Sequence, residues 1–152
     1  MMAVSKRMPT QRIAVFLTAL ILFAAGWAVS GPPARDKIID SALLNVANGH
    51  VILEVELTFP FRYQSHFPPE TGNELRIRIS PVRVPASDLD AVFRREGLVP
   101  PDADTAAIDE VIYEGDAVGG PYLTVRFTQP VRYQVIPGGD YRSLSIVIQE
   151  LL

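Results

Sequence analysis

The side chains with most chemistry to offer are two histidines, the arginines, and an Arg-Tyr-Gln run that occurs twice. "TFPFRYQ" (58–64) and "TQPVRYQ" (128–134) stand 70 positions apart. If each run is extended backbone, side chains alternate between its two faces. Phe61 and Tyr63 inward then put Arg62 outward, and Val131 and Tyr133 inward put Arg132 outward. The same alternation leaves Arg76, Arg78 and Arg126 on wet strand faces. Together with Tyr63 and Tyr133, these five arginines make a cationic and aromatic surface. Such a surface suits carboxylates, because a guanidinium grips a carboxylate with two parallel hydrogen bonds. The competing expectation is cross-strand pairing with Glu54 and Glu56 of the same hairpin, worth less than ~1 kcal/mol per pair. The nearness of those glutamates favours pairing.

Catalytic patterns are missing. His50 and His66 have no metal-ligand spacing such as H-x-x-x-H and are expected to be exposed in loops. No G-x-S-x-G elbow occurs. The acids of "DAD" (102–104) and "DE" (109–110) resemble capping groups more than an acid/base pair. The expectation is a protein that is not an enzyme, with no metal and no cofactor.

The N-terminus carries a targeting pattern. "MMAVSKRMPTQR" is basic, and "IAVFLTALILFAAGWAV" (13–29) is apolar and uncharged. "AVS" then places small residues before a cut after Ser30. That order is the pattern of a secretory signal peptide, giving domains 1–30 (signal) and 31–152 (mature), and a periplasmic location. The alternative is an inner-membrane anchor formed by residues 13–29, whose length is at the low end for a bilayer span. Trp27 is the only tryptophan. The cleaved protein should therefore show tyrosine fluorescence alone; exported material with tryptophan emission and an intact N-terminus by mass would mean an anchor.

After Ser30 the chain keeps all 17 acidic residues but only 11 of its 14 Lys and Arg, a net charge of −6. Phosphate neutralisation needs a basic face, so nucleic acid is not an expected partner. With no cysteine, stability has to come from packing, and thiolate metal sites are excluded.

The echo extends beyond the Arg-Tyr-Gln run. Between 53–64 and 123–134, seven of twelve positions are identical (Leu, Val, Thr, Pro, Arg, Tyr, Gln). Ordinary composition would give about one. "ELRIRI" (74–79) answers "SLSIVI" (143–148), and "IIDSALL" (38–44) answers "AIDEVIY" (107–113). Residues 38–80 and 107–149 read as two copies of one β unit, too short to bury its own apolar face, so each should complete the other's core. Leu53, Val55, Leu57, Leu123, Val125, Phe127, Ile146 and Ile148 should be buried by their period of two. Pro60 and Pro130 should mark strand ends, bulges or turns. "NG" (48–49), "GG" (119–120) and "PGGD" (137–140) supply the turns. The expected fold is all-β, an antiparallel β-sandwich of two facing sheets from two duplicated units.

Between the copies, the insert 81–106 should hold one short helix. Ser87 with Asp90 suggests its cap, Leu89, Val92 and Phe93 its buried face, and Gly97 its stop.

An exported, duplicated β unit containing "FTQPVRYQVIPGGDYRSLSIVI" (127–148) resembles the AMIN domain, the envelope-targeting module of periplasmic amidases and secretins. N-terminal segments of large tetratricopeptide-containing envelope proteins look similar. The resemblance covers roughly 38–149 and implies two pseudo-symmetric sheets. It also implies a non-catalytic module that binds peptidoglycan or an envelope assembly. The alternative is a protein-docking or scaffolding domain in a larger envelope protein. For that, Val147 on the wet face of the last strand and the apolar Leu151 and Leu152 suggest an exposed edge strand open to β-augmentation.

Overall fold

Period-two alternation runs through almost every segment that forms a strand. The computed structural model describes residues 37–152, so the signal-peptide and anchor expectations, and Trp27, lie outside the described residues. The strands are β1 (Ile39–Ala47), β2 (His50–Leu57), β3 (Phe61–Phe67), β4 (Thr71–Pro81), β5 (Arg95–Leu98), β6 (Ile108–Glu114), β7 (Tyr122–Pro137) and β8 (Ser143–Leu151). One short helix, α1 (Leu89–Val92), precedes β5. All pairings are antiparallel, and the sheet curls into a nearly closed barrel.

Where two separate sheets were expected, the strands hydrogen-bond into one, ordered β1-β2-β8-β7-β4-β3, with β6 also on β7 and β5 on β6. The reason is β7. Its first part, to Phe127, pairs with β6, and its second part, from Val131, pairs with β8. Pro130, which has no N–H to give a ladder, sits where the partner changes, and its carbonyl accepts from Leu152 N at 2.9 Å. Pro60 separates β2 from β3 and accepts from Val82 N, also at 2.9 Å. Opposite β7, the ring is drawn together by Glu96 of β5, whose carboxylate takes the amides of Ile38 (2.7 Å) and Ile39 (3.2 Å) at the start of β1.

The registers repeat. In β1–β2, Ile39, Ala42 and Leu44 face Leu57, Val55 and Leu53; in β6–β7, Ile108, Val111 and Tyr113 face Phe127, Val125 and Leu123. The register shift at Ile39/Ser41 recurs at Ile108/Glu110. Leu53 and Val55 of β2 face Ile146 and Leu144 of β8, as Leu123 and Val125 of β7 face Ile77 and Leu75 of β4. Each segment thus lends its last strand to the other.

All eight side chains expected inside are buried, from Leu53 at 0% exposure to Phe127 at 6%. Asn48 and Gly49, both with positive φ (53° and 80°), form the two-residue β1–β2 turn that a right-twisted hairpin requires. "GG" behaves differently: Gly119 and Gly120 belong to a longer connection between β6 and β7 rather than a tight turn.

The insert departs most from expectation. Its helix is a single turn after a 3₁₀ turn (Ala86–Asp88), and no side chain caps it; the Ser87 hydroxyl donates to Asp88 instead, at 2.9 Å. Ala91 and Val92 are buried, while Leu89 and Phe93 are 49% and 69% exposed. A helix this short cannot present the three-residue stripe that the spacing suggested. Gly97 does not stop it. It lies in β5 opposite Ile112, where a Cβ would run into the Glu110 carboxylate.

Candidate functional site

The ladder fixes the Arg-Tyr-Gln runs as the alternation implied. Phe61 and Val131 are buried, Arg62 and Arg132 are exposed, and Tyr133 is buried with Tyr63 half-buried. Both tyrosines turn toward the β3–β4 hairpin. The Tyr133 hydroxyl donates to the Pro68 carbonyl at 2.9 Å, and the Tyr63 hydroxyl meets Nδ1 of His66 at 2.6 Å. His66 Nε2 lies 2.9 Å from the Pro69 carbonyl. A carbonyl only accepts, so Nε2 carries the proton and Nδ1 accepts from Tyr63. Burial pushes the Tyr133 phenol up to about 12 and raises Tyr63 as well, so both remain donors at neutral pH. Phe127 stacks on Tyr133 with ring centres 6.0 Å apart. His66, expected as an exposed loop residue, is thus half-buried and pins the hairpin. No spacing signal marked it, because its partners are 3 residues away on one side and on β7 on the other.

The arginines divide. Arg126 reaches Glu74 (3.7 Å) and Glu110 (3.9 Å), its direct neighbours on β4 and β6. Arg76 contacts Glu114 at 3.3 Å and lies 4.2 Å over the Tyr122 ring. Arg132 pairs with Glu150 at 3.0 Å. Glu54 and Glu56, the expected partners, bind no arginine among the described residues; Glu54 accepts from Asn45 instead, at 2.9 Å. The register explains this, since Ser145 and Ser143 of β8 stand opposite them. Arg62 and Arg78 have no ion pair among the described residues.

Arg62 lines a cleft of about 260 Å³ between β3 and the β7–β8 loop, together with Tyr63, Pro137, Gly138 and Tyr141. That loop is built around Asp140, whose Oδ1 accepts from Arg142 N (2.9 Å), Ser143 N (3.0 Å) and the Ser143 hydroxyl (2.8 Å). Those donors hold its carboxyl below the usual range. Tyr141 follows with φ 59°, a left-handed conformation uncommon outside glycine, and its side chain is 61% exposed. Sequence reading marked "PGGD" as a turn but did not single out Tyr141, although an Asx-forming Asp next to an aromatic was a visible signal. On the counterpart strand, Tyr133 lines a second cleft with His66, Glu70 and Gln149, of about 380 Å³.

β8 is not an edge. Over Ser143–Ile148 it is flanked by β2 on one side and β7 on the other, which overturns the edge strand expected there. Leu151 and Leu152 are about half exposed, beyond the β2 pairing. Among the described residues, the strands with a ladder on one side only are β1, β3 and β5. Among the described residues no cluster of three or more His, Asp or Glu could hold a metal, and no helix is long and apolar enough to cross a membrane. No protein-family model matches the chain, nor does any curated protein or solved structure.

Proposed function

We propose that this protein is a non-catalytic, exported envelope-binding module, AMIN-like and built from two copies of one β unit, 38–80 and 107–149, that attaches to peptidoglycan or an envelope assembly. The registers repeated at matching positions in β1–β2 and β6–β7, and the exchange of β8 and β4, support the duplication. One observation carries the binding role. Arg62 stands exposed in a cleft beside Tyr63 and Tyr141 and has no carboxylate among the described residues to hold. An unspent guanidinium beside aromatic rings is the chemistry that receives a foreign carboxylate. Arg76, Arg126 and Arg132 are already paired and contribute less. Sedimentation with purified sacculi tests this. Arg62→Ala should lower the bound fraction several-fold with an unchanged melting temperature, Arg62→Lys should recover part of it, and Arg132→Ala should change little. Wild-type protein that stays in the supernatant would exclude peptidoglycan.

A second reading is docking to a protein partner along an open edge. The unpaired side of β3, next to the same arginine, favours it.

A further inference from the structure

Tyr63 and Tyr133 hold the same place in the two segments, yet their backbone amides fare differently. Tyr133 N donates to the Glu70 carbonyl at 2.8 Å, so the β3–β4 hairpin closes over β7 there. On β3, Val82 N donates to the Pro60 carbonyl and Phe61 N donates to the Tyr141 carbonyl (2.7 Å). Backbone donors alternate sides along a strand, so the Tyr63 N–H points away from β4 as the Phe61 N–H does. The β7–β8 loop does not reach it. Held tight by Asp140, that loop gives its carbonyls to Leu57 N (from Arg142, 2.9 Å) and Phe61 N, and extends no further along β3. Among the described residues, the Tyr63 amide has no backbone partner corresponding to Glu70.

Three features therefore meet in one cleft: an open strand edge, an arginine with no ion pair among the described residues, and the exposed Tyr141 ring. The contact between Tyr141 and Phe61 also blocks the edge. A strand added along β3 cannot pass Phe61, so it has to end there, and the charge beside that end is positive. We propose that this cleft binds the free carboxyl end of an extended peptide from a protein partner. The peptide pairs with the Tyr63 amide, places its terminal carboxylate on Arg62 and rests an apolar last side chain against Tyr141 and Pro137. This inference rests on the docking reading and names its partner chemistry.

The full chain is screened against an array of hexapeptides with free carboxyl ends, random at the last four positions. The strongest binder is then made with a fluorescein at its amino end, as the free acid and as the carboxamide, for anisotropy titration. The acid should bind at least ten-fold more tightly than the amide. Arg62→Gln should abolish that difference, and Arg132→Gln should preserve it. In hydrogen exchange, the Tyr63 amide should exchange much faster than that of Tyr133 in the free protein and become protected when the acid peptide binds. Acid and amide binding alike, with no dependence on Arg62, would overturn the carboxylate site while leaving edge docking in place. An array on which nothing binds would overturn both. Loss of sacculus binding in Arg62→Gln without any peptide binding would assign Arg62 to the envelope surface alone.

Discussion

Phe127→Ala should lower the stability of the domain by about 3–5 kcal/mol, and Leu57→Ala by about 2–5 kcal/mol. These residues occupy matching positions, each opposite an isoleucine at the start of its hairpin, Ile108 or Ile39. Phe127 is 6% exposed and forms one half of the stack on Tyr133, so its loss opens a cavity and also frees a ring that helps to pin the β3–β4 hairpin. Leu57 is 1% exposed, just before the bend at Pro60. Neither site can collapse easily, because strands on both sides are held in register. The control is Phe93→Ala. The same truncation at a side chain 69% exposed should cost no more than about 0.5 kcal/mol. Urea unfolding of the three variants, with unchanged m-values, reads these differences. Equal losses at Phe127 and Phe93 would mean that the core is not where the alternation places it.

That contrast shows what the sequence could and could not reveal. Period two is a local property, so it put Leu53, Val55, Leu123 and Ile146 inside without knowledge of their partners. Asn48-Gly49 was equally local, because only residues tolerant of positive φ close such a hairpin. Pairing between β2 and β8, or β7 and β4, joins segments far apart in the chain, and nothing in either strand names its neighbour. The expected sandwich failed for that reason: a strand continuous through Pro130 looks the same in sequence as two strands separated at Pro130. Phe93 failed on length. Its spacing from Leu89 is helical, but the helix ends at Val92 and β5 begins at Arg95. Glycine often follows a helix, which makes Gly97 look like a stop in sequence, whereas in the fold it makes room for Glu110.

At the candidate site the legible part was side-chain direction. Arg62 and Arg132 face outward as expected, and identity in sequence suggested equal roles. What separates them is the neighbour that each meets, a strand residue for Arg132 and a loop for Arg62. Glu150 reaches Arg132, while the Asp140 turn faces Arg62 with backbone and a tyrosine. Residues at matching strand positions share a direction, but the neighbours that decide whether a guanidinium is spent differ between the two segments.

Replacing Glu114 should have the largest effect of any polar substitution, because it organises the outer face of β4, β7 and β5. Its carboxylate accepts from the Thr124 hydroxyl (2.6 Å), Arg95 (3.0 Å) and Arg76 (3.3 Å), and its side chain is 13% exposed. Glu114→Ala should cost about 2–3 kcal/mol, the scale of hydrogen bonds to a charged group. Much of this comes from Thr124, which is buried and would lose its acceptor; the arginines are nearly half exposed, so their pairing is screened. Burial is the largest single influence on the Glu114 pKa and raises it, but the Thr124 hydrogen bond and the two guanidinium charges together outweigh it, and the pKa is lowered. A carboxyl with a lower pKa folded than unfolded stabilises fully above its unfolded pKa and loses that contribution as pH falls through the folded one. Glu114→Gln keeps the shape and an acceptor for Thr124 but removes the charge. The gap in urea midpoint between wild type and Glu114→Gln should therefore be constant near neutral pH and shrink as the solution is acidified below the usual carboxylate range. A gap that stays constant or widens down to pH ~3 would show that the charge of Glu114 does not stabilise the fold. The same variant bears on binding. Arg76 is held by Glu114, so Glu114→Gln should release Arg76 without altering the Arg62 cleft, and carboxylate binding there at neutral pH should equal that of the wild type.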